Sequence, residues 1–364
     1  MHRKKGPQRI KDTPMSTLKP HSTVATRMSG IREDWLRLTQ EEVLEPDLAI
    51  VDPHHHLWDF PSHRYLLPDL LADTGSGHKI ESTVFIECTA CYRADGPPEL
   101  RTLGETEFVN GVAAMSASGR YGPTLVAAGI VGLVDLTIGA RAEEVLRGHM
   151  AAAGPRFKGI RHAAAWEDKA PEIHNSHTNP PPHLYRDHAK FREGFAALGR
   201  LGLTFDAWLY HPQLPDLTAL ARVFPAQPIV LDHVGGPLGL GWYEDSRDEV
   251  FASWKRNILE LASCPNVYMK LGGLGMRING FKFHHRERPP SSKDLADAWR
   301  PYIDTCIEAF GPKRCMFESN FPVDKISGSY AVYWNAFKRL ASGASAADKV
   351  ALFRDTARGF YRLS

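Results

Sequence analysis

The chain has 364 residues, 43% of them apolar and 24% charged, with 44 Lys and Arg set against 42 Asp and Glu. That balance is ordinary for a soluble globular protein, and nowhere do apolar residues run to the roughly 20 that a membrane-spanning helix needs. Residues 1–30 carry seven basic side chains against Asp12 alone, so the remaining 37 basic and 41 acidic residues form a slightly acidic body with no basic footprint for nucleic acid.

Taken in chain order, residues 1–30 read as a disordered basic extension, or as an over-extended start with Met28 as the initiator; they lack the apolar core of a secretory signal. From residue 48 to 364 one domain is expected. Eight runs rich in Val, Ile, Leu and aromatics recur at 49–57, 82–88, 125–132, 157–162, 203–210, 228–234, 267–273 and 315–321. Amphipathic stretches at 104–118, 139–153, 188–200, 214–224, 247–263, 293–310, 330–342 and 345–361 lie between and after them. Strand–helix alternation repeated eight times is the pattern of parallel βαβ units, and it predicts an α/β fold, a (β/α)8 TIM barrel. The alternative, an open doubly wound sheet, usually brings a glycine-rich phosphate loop after its first strand, and here that strand runs into histidines. Segments 58–80, 163–187 (with His174 and His177) and 274–292 are too long for plain connectors and read as lid loops over the barrel mouth.

Cys88, Cys91, Cys264, Cys306 and Cys315 form an odd set in a long chain, which argues against a disulfide framework and for the reducing cytoplasm. Cys88 and Cys91 have C-x-x-C spacing, but a single such pair is a weak metal or redox signal.

Chemistry concentrates at the ends of the runs. The first ends Asp52-Pro53-His54-His55-His56-Leu57-Trp58. Side chains alternate along a strand, so Asp52, His54 and His56 face one side and His55 the other. Later runs end in Glu87, Arg161-His162, Trp208 to His211, Asp232-His233, Lys270 and Glu318-Ser319-Asn320. Strand C-termini are where barrels place active sites. A lone imidazole there is usually a hydrogen-bonded core group, but histidines from the first, fifth and sixth strands beside Lys270 point to a shared centre. Neutral imidazoles could hold a divalent ion and so lower the pKa of water to about 7. Arg64, Arg161 and Lys270 could bind a carboxylate or polarise a carbonyl, and Trp58 and Trp208 could stack on a ring.

Asp52-x-His54-x-His56-Leu57-Trp58, Gly159-Ile160-Arg161-His162, Leu231-Asp232-His233-Val234-Gly235-Gly236-Pro237, Lys270-Leu271-Gly272-Gly273 and Glu318-Ser319-Asn320-Phe321-Pro322 together resemble the amidohydrolase-2 family, in its branch of sugar-lactone and dicarboxylate-lactone hydrolases. The resemblance runs from about residue 48 to the C-terminus. It implies a barrel hydrolase with His54 and His56 as the first-strand pair, His233 as the sixth-strand histidine and His211 as a looser fifth-strand match. These four are the implied ligands of zinc or manganese, although some lactone hydrolases of this branch work without metal. Asn320 stands where the family carries an aspartate. An amide cannot accept the proton of an attacking water, so the usual general base is missing.

The sequence thus predicts a hydrolase of a lactone or related cyclic ester of a small carboxylated or polyhydroxylated compound. His54, His56 and His233 position water, Lys270 or Arg161 stabilises the oxyanion, and Asn320 orients water or substrate. Trp58, Arg64, Trp208 and His211 are the expected substrate contacts. Among the carboxylates, Glu318 reads as a buried partner of Lys270 or Arg161, and Asp324 as an acid near the mouth or a turn cap. The expected partner is a small-molecule substrate, with no nucleic acid or membrane, and a homo-oligomer is left open. The alternatives are a metal-dependent decarboxylase of an aromatic or unsaturated acid, and a non-catalytic binding protein on the same scaffold.

Overall fold

The structure, a computed structural model, describes residues 31–60, 63–169, 173 and 180–364. The expected basic extension, and His174 and His177, lie outside the described residues.

Eight strands form one sheet in chain order: β1 Ala49–His55, β2 Lys79–Ile86, β3 Leu125–Gly132, β4 Phe157–Arg161, β5 Thr204–Ala207, β6 Ile229–Leu231, β7 Val267–Leu271 and β8 Cys315–Phe317. Every neighbouring pair is parallel. The ring closes where a parallel bridge joins His55 to Phe321, with Asn320 N donating to His54 O at 3.0 Å and His56 N to Phe321 O at 2.8 Å. The segment after β8 is thereby sewn to the tip of β1. Both faces of the strands are covered, which is why β6 and β8 read as unbroken apolar runs rather than as alternations.

The helices follow the expected stretches. Ser292–Phe310 opens on a reciprocal cap, Asp294 N donating to Ser291 Oγ at 3.1 Å and Ser291 N to Asp294 Oδ2 at 2.8 Å. Ala189–Leu201 ends on Gly202 in the left-handed region, φ 66°. The stretch 345–361 differs from one continuous helix. A π turn at Ala351–Asp355 separates helices Ala346–Val350 and Thr356–Phe360, and the last residues plug the base of the barrel. There Ala357, Phe360, Tyr361 and Leu363 cluster with the interior side chains Val51, Val84, Ile86, Val131, Val230 and Met316.

Two further differences bear on the site. The segment 58–80 holds a hairpin, Trp58–Phe60 with His63–Tyr65, and a helix, Leu67–Thr74. Residues 32–41 run along the 274–292 loop: Trp35 Nε1 donates to Arg286 O, Thr39 Oγ1 to Pro289 O and Arg288 Nη2 to Leu38 O.

Candidate active site

Most strands end two to four residues before the apolar runs do, because the polar residues that follow leave the ladder. His233 (φ 57°), Val234 (φ 47°) and Asn320 (φ 55°) all adopt left-handed backbone, a conformation non-glycine residues keep only where surrounding contacts impose it. At His233 the consequence is visible: its backbone N and its ring Nδ1 both donate to Glu318 Oε1, at 3.0 and 2.6 Å. Gly273 makes room for that ring, since a Cβ there would stand 2.4 Å from it.

Glu318 is therefore a partner of imidazoles, not primarily of Lys270 or Arg161. Its other oxygen, Oε2, lies 2.9 Å from His54 Nδ1. Burial pushes its carboxyl up, but His233 and His54 outweigh this and hold it well below the usual carboxylate range. Glu318 is thus an ionised acceptor, and His233 Nδ1 is the donor to it. The ring centroids of His54 and His233 are 4.5 Å apart, and those of His54 and His56 are 5.0 Å apart.

Beneath the imidazoles lies a buried charge lattice. Lys270 Nζ donates to Asp206 Oδ2 at 2.7 Å and pairs with Asp232 Oδ1 at 3.1 Å; it is also 3.1 Å from His54 Nδ1. Arg161 spans Glu87, with Nε to Oε1 at 2.8 Å and Nη2 to the carbonyl at 2.6 Å, while Nη1 stands 3.4 Å from both Asp232 Oδ2 and His54 Nε2. Burial alone would neutralise such groups, yet their mutual attraction keeps Lys270 and Arg161 raised and Asp232 lowered. His54 is pushed well below its ordinary value by burial and then by the Lys270 ammonium, so it is neutral. His56 is pushed down to about 3 by burial and by Arg161; its Nδ1 faces Ile86 O at 2.8 Å.

His54, His233, Arg161 and Lys270 are thus brought together, with His56 beside them. The side chain of Asn320 turns to Asp324, its Nδ2 donating to Oδ1 at 2.8 Å. Asp324 also accepts from Gly275 N at 3.0 Å, and burial pushes it up to about 7. Trp58 stacks on His56 at 5.7 Å and Trp208 meets the His233 ring edge-on at 4.8 Å. Two expected site residues do not join. Arg64 is exposed on the hairpin opposite Asp59, and His211 Nδ1 accepts from Leu238 N at 3.3 Å while its ring packs on Tyr243. Lys270, expected to face an oxyanion, is wholly buried under the imidazoles. Asp52 does not reach the cluster either. It accepts from Ser319 N and Tyr330 Oη and so ties β1 to the segment after β8.

Asp206 is the member that strand reasoning misses, and Asp232 is named at the end of its run without a role. Asp232 precedes His233, and alternation puts neighbours on opposite faces; the left-handed turn at His233 breaks that rule. Among the described residues, the group able to hold a metal ion is His54, Asp232 and His233, whose ligand atoms all lie within 4.8 Å of one another. This group shares His54 and His233 with the expected set of His54, His56, His211 and His233 and adds Asp232. Two imidazoles and a carboxylate suit zinc or manganese, with Asp232 Oδ1 already paired to Lys270 Nζ at 3.1 Å.

The family model described as amidohydrolase matches residues 51–363. An uncharacterised protein, y4mH, of Sinorhizobium fredii is 31% identical over 87% of this chain and 99% of its own. A Burkholderia multivorans protein named L-fucono-1,5-lactonase is 27% identical over 86% of this chain and 96% of its own. The crystal structure of a Burkholderia multivorans amidohydrolase with bound zinc superposes with a TM-score of 0.65 at 26% identity, covering 87% of this chain and all of that one.

Proposed function

The chain belongs to the amidohydrolase family, and on that premise we propose that it hydrolyses the ring ester of a small lactone, with the His233–Glu318 pair as its general base. One observation carries the mechanism: Glu318 Oε1 accepts both the backbone and the ring Nδ1 proton of His233. A carboxylate in that position holds the imidazole in one tautomer and stabilises the imidazolium that forms when the other nitrogen takes a proton. The pair supplies the base that Asn320 cannot.

His233 Nε2 takes a proton from water as the water oxygen bonds to the lactone carbonyl carbon. Of the two cluster cations Arg161 is the more exposed, 7% against 0% for Lys270, and its Nη1 stands 3.4 Å from His54 Nε2 and Asp232 Oδ2. It stabilises the developing oxyanion, a contribution typically worth a few kcal/mol. As the ring C–O bond breaks, His233 returns its proton to the departing alkoxide and the acid is released. Trp58 stacks on His56 and Trp208 packs edge-on against His233, which holds those two rings in place. A zinc or manganese ion held by His54, Asp232 and His233 would lower the pKa of water in the site to about 7, and because it would need the His233 lone pair it would replace the imidazole as the means of activating water rather than act beside it.

The lactonase name of the 27% identical relative supports the ester class. A lactone of a small carboxylated or polyhydroxylated compound is the proposed substrate. A pH-indicator screen over sugar-acid, dicarboxylate and aryl lactones, with and without zinc or manganese, tests it. Acid release from one class is the expected result. Release of carbon dioxide from aromatic acids with no lactone opened would show a decarboxylase instead.

A further inference from the structure

Lys270 is a buried cation with more partners than a structural ion pair requires. Its Nζ lies 2.7 Å from Asp206, 3.1 Å from Asp232 Oδ1 and 3.1 Å from His54 Nδ1. His54 and Asp232 are also two of the three members of the metal-capable group. Asp206 lies outside that group, and it is anchored from below by Tyr361 Oη at 2.6 Å. An ammonium and a divalent ion drawn to the same carboxylate repel each other, most strongly where water is excluded.

We propose that Lys270 is a resident cation that competes with a divalent ion for Asp232 and His54, and so sets how tightly the site holds metal. The proposal rests on reading this cluster as the functional centre. The geometry gives the lysine a place of retreat: when an ion takes Asp232, Nζ keeps Asp206. It also gives the site a cation of its own when no ion is bound, so that Asp232 never stands unpaired. Arg161 cannot do the same work, because its guanidinium is tied on two sides to Glu87 and approaches Asp232 only to 3.4 Å.

Zinc affinity of chelator-stripped, full-length protein tests this without any substrate, by titration against a chromophoric chelator with elemental analysis for stoichiometry. Lys270→Met should bind zinc at least tenfold more tightly than the wild type, at one ion per chain. Since the single variant leaves Asp206 buried without its partner, Lys270→Met/Asp206→Asn is measured alongside it and should tighten binding at least threefold. Adding Asp232→Asn to either should reverse the gain. A folded variant that lacks the ammonium and binds zinc no better than the wild type overturns the proposal, as does zinc binding that ignores Asp232. Because the readout is metal affinity, tightened binding in a protein that opens no lactone would uphold this inference and remove the lactonase reading.

Discussion

The lower and upper interiors of the barrel share the same strands and differ by two or three residues along each. Val51, Val84, Val230, Tyr268 and Met316 face an apolar plug made by the C-terminal residues. Slightly further along the same strands stand His54, Glu87, Asp232, Lys270 and Glu318. Tyr361 joins the layers, its ring in the lower cluster and its hydroxyl on Asp206. The contrast teaches that stability and chemistry are stacked rather than mixed: the base excludes water by packing, and the rim keeps ionised groups only because each is paired.

That contrast is broken most sharply from above. His233→Ala and Glu318→Gln should each lower kcat for lactone opening at least a hundredfold, about 3 kcal/mol of barrier, while the folded state persists by circular dichroism. From below the effects should invert. Phe360→Ala should cost about 3–5 kcal/mol in urea unfolding and leave kcat of the remaining folded protein near wild type. If Phe360→Ala instead abolished turnover at full stability, the two layers would not be separable.

Acidity sharpens the comparison at the rim. Burial raises Asp324 to about 7, against about 3.9 for an unperturbed aspartate, so the folded state binds this proton more readily than the unfolded chain. Stability from this group therefore rises as pH falls from 7 towards 4, while its bonds from Gly275 and Asn320, which are stronger to an ionised acceptor, weaken. Activity should decline over that interval without loss of fold, and Asp324→Asn should make the acid limb of the kcat profile shallower. The smallest effect is expected at the junction of the layers: Tyr361→Phe removes one hydrogen bond to a carboxylate, worth about 1.5–3 kcal/mol in denaturation, with little change in kcat.

Strand–helix periodicity revealed the barrel, and the polar residues after each apolar run revealed its rim, because both follow from burial patterns local in sequence. The partnerships at the rim were less legible. Glu318 reads as a lysine or arginine partner until the positive φ of His233 turns two of its donors onto one oxygen. Asp232 is visible at the end of its run, but the alternation rule that exposes His54 and His56 gives it no place beside His233. Asp206 and Tyr361 meet across 155 residues, and no local pattern announces such a contact. Arg64 and His211 looked eligible by residue type and position near a strand end, yet the hairpin carries one to the surface and the turn after β5 commits the other to Leu238.

The central claim is that His233, held by Glu318, is the base. Its most direct test is the rate of lactone opening by chelator-stripped protein, wild type beside Glu318→Gln, at fixed pH. The account predicts turnover in the stripped wild type and a fall of at least a hundredfold in the variant. Equal rates in the two proteins, or a stripped wild type that is inert until zinc is restored, would contradict it.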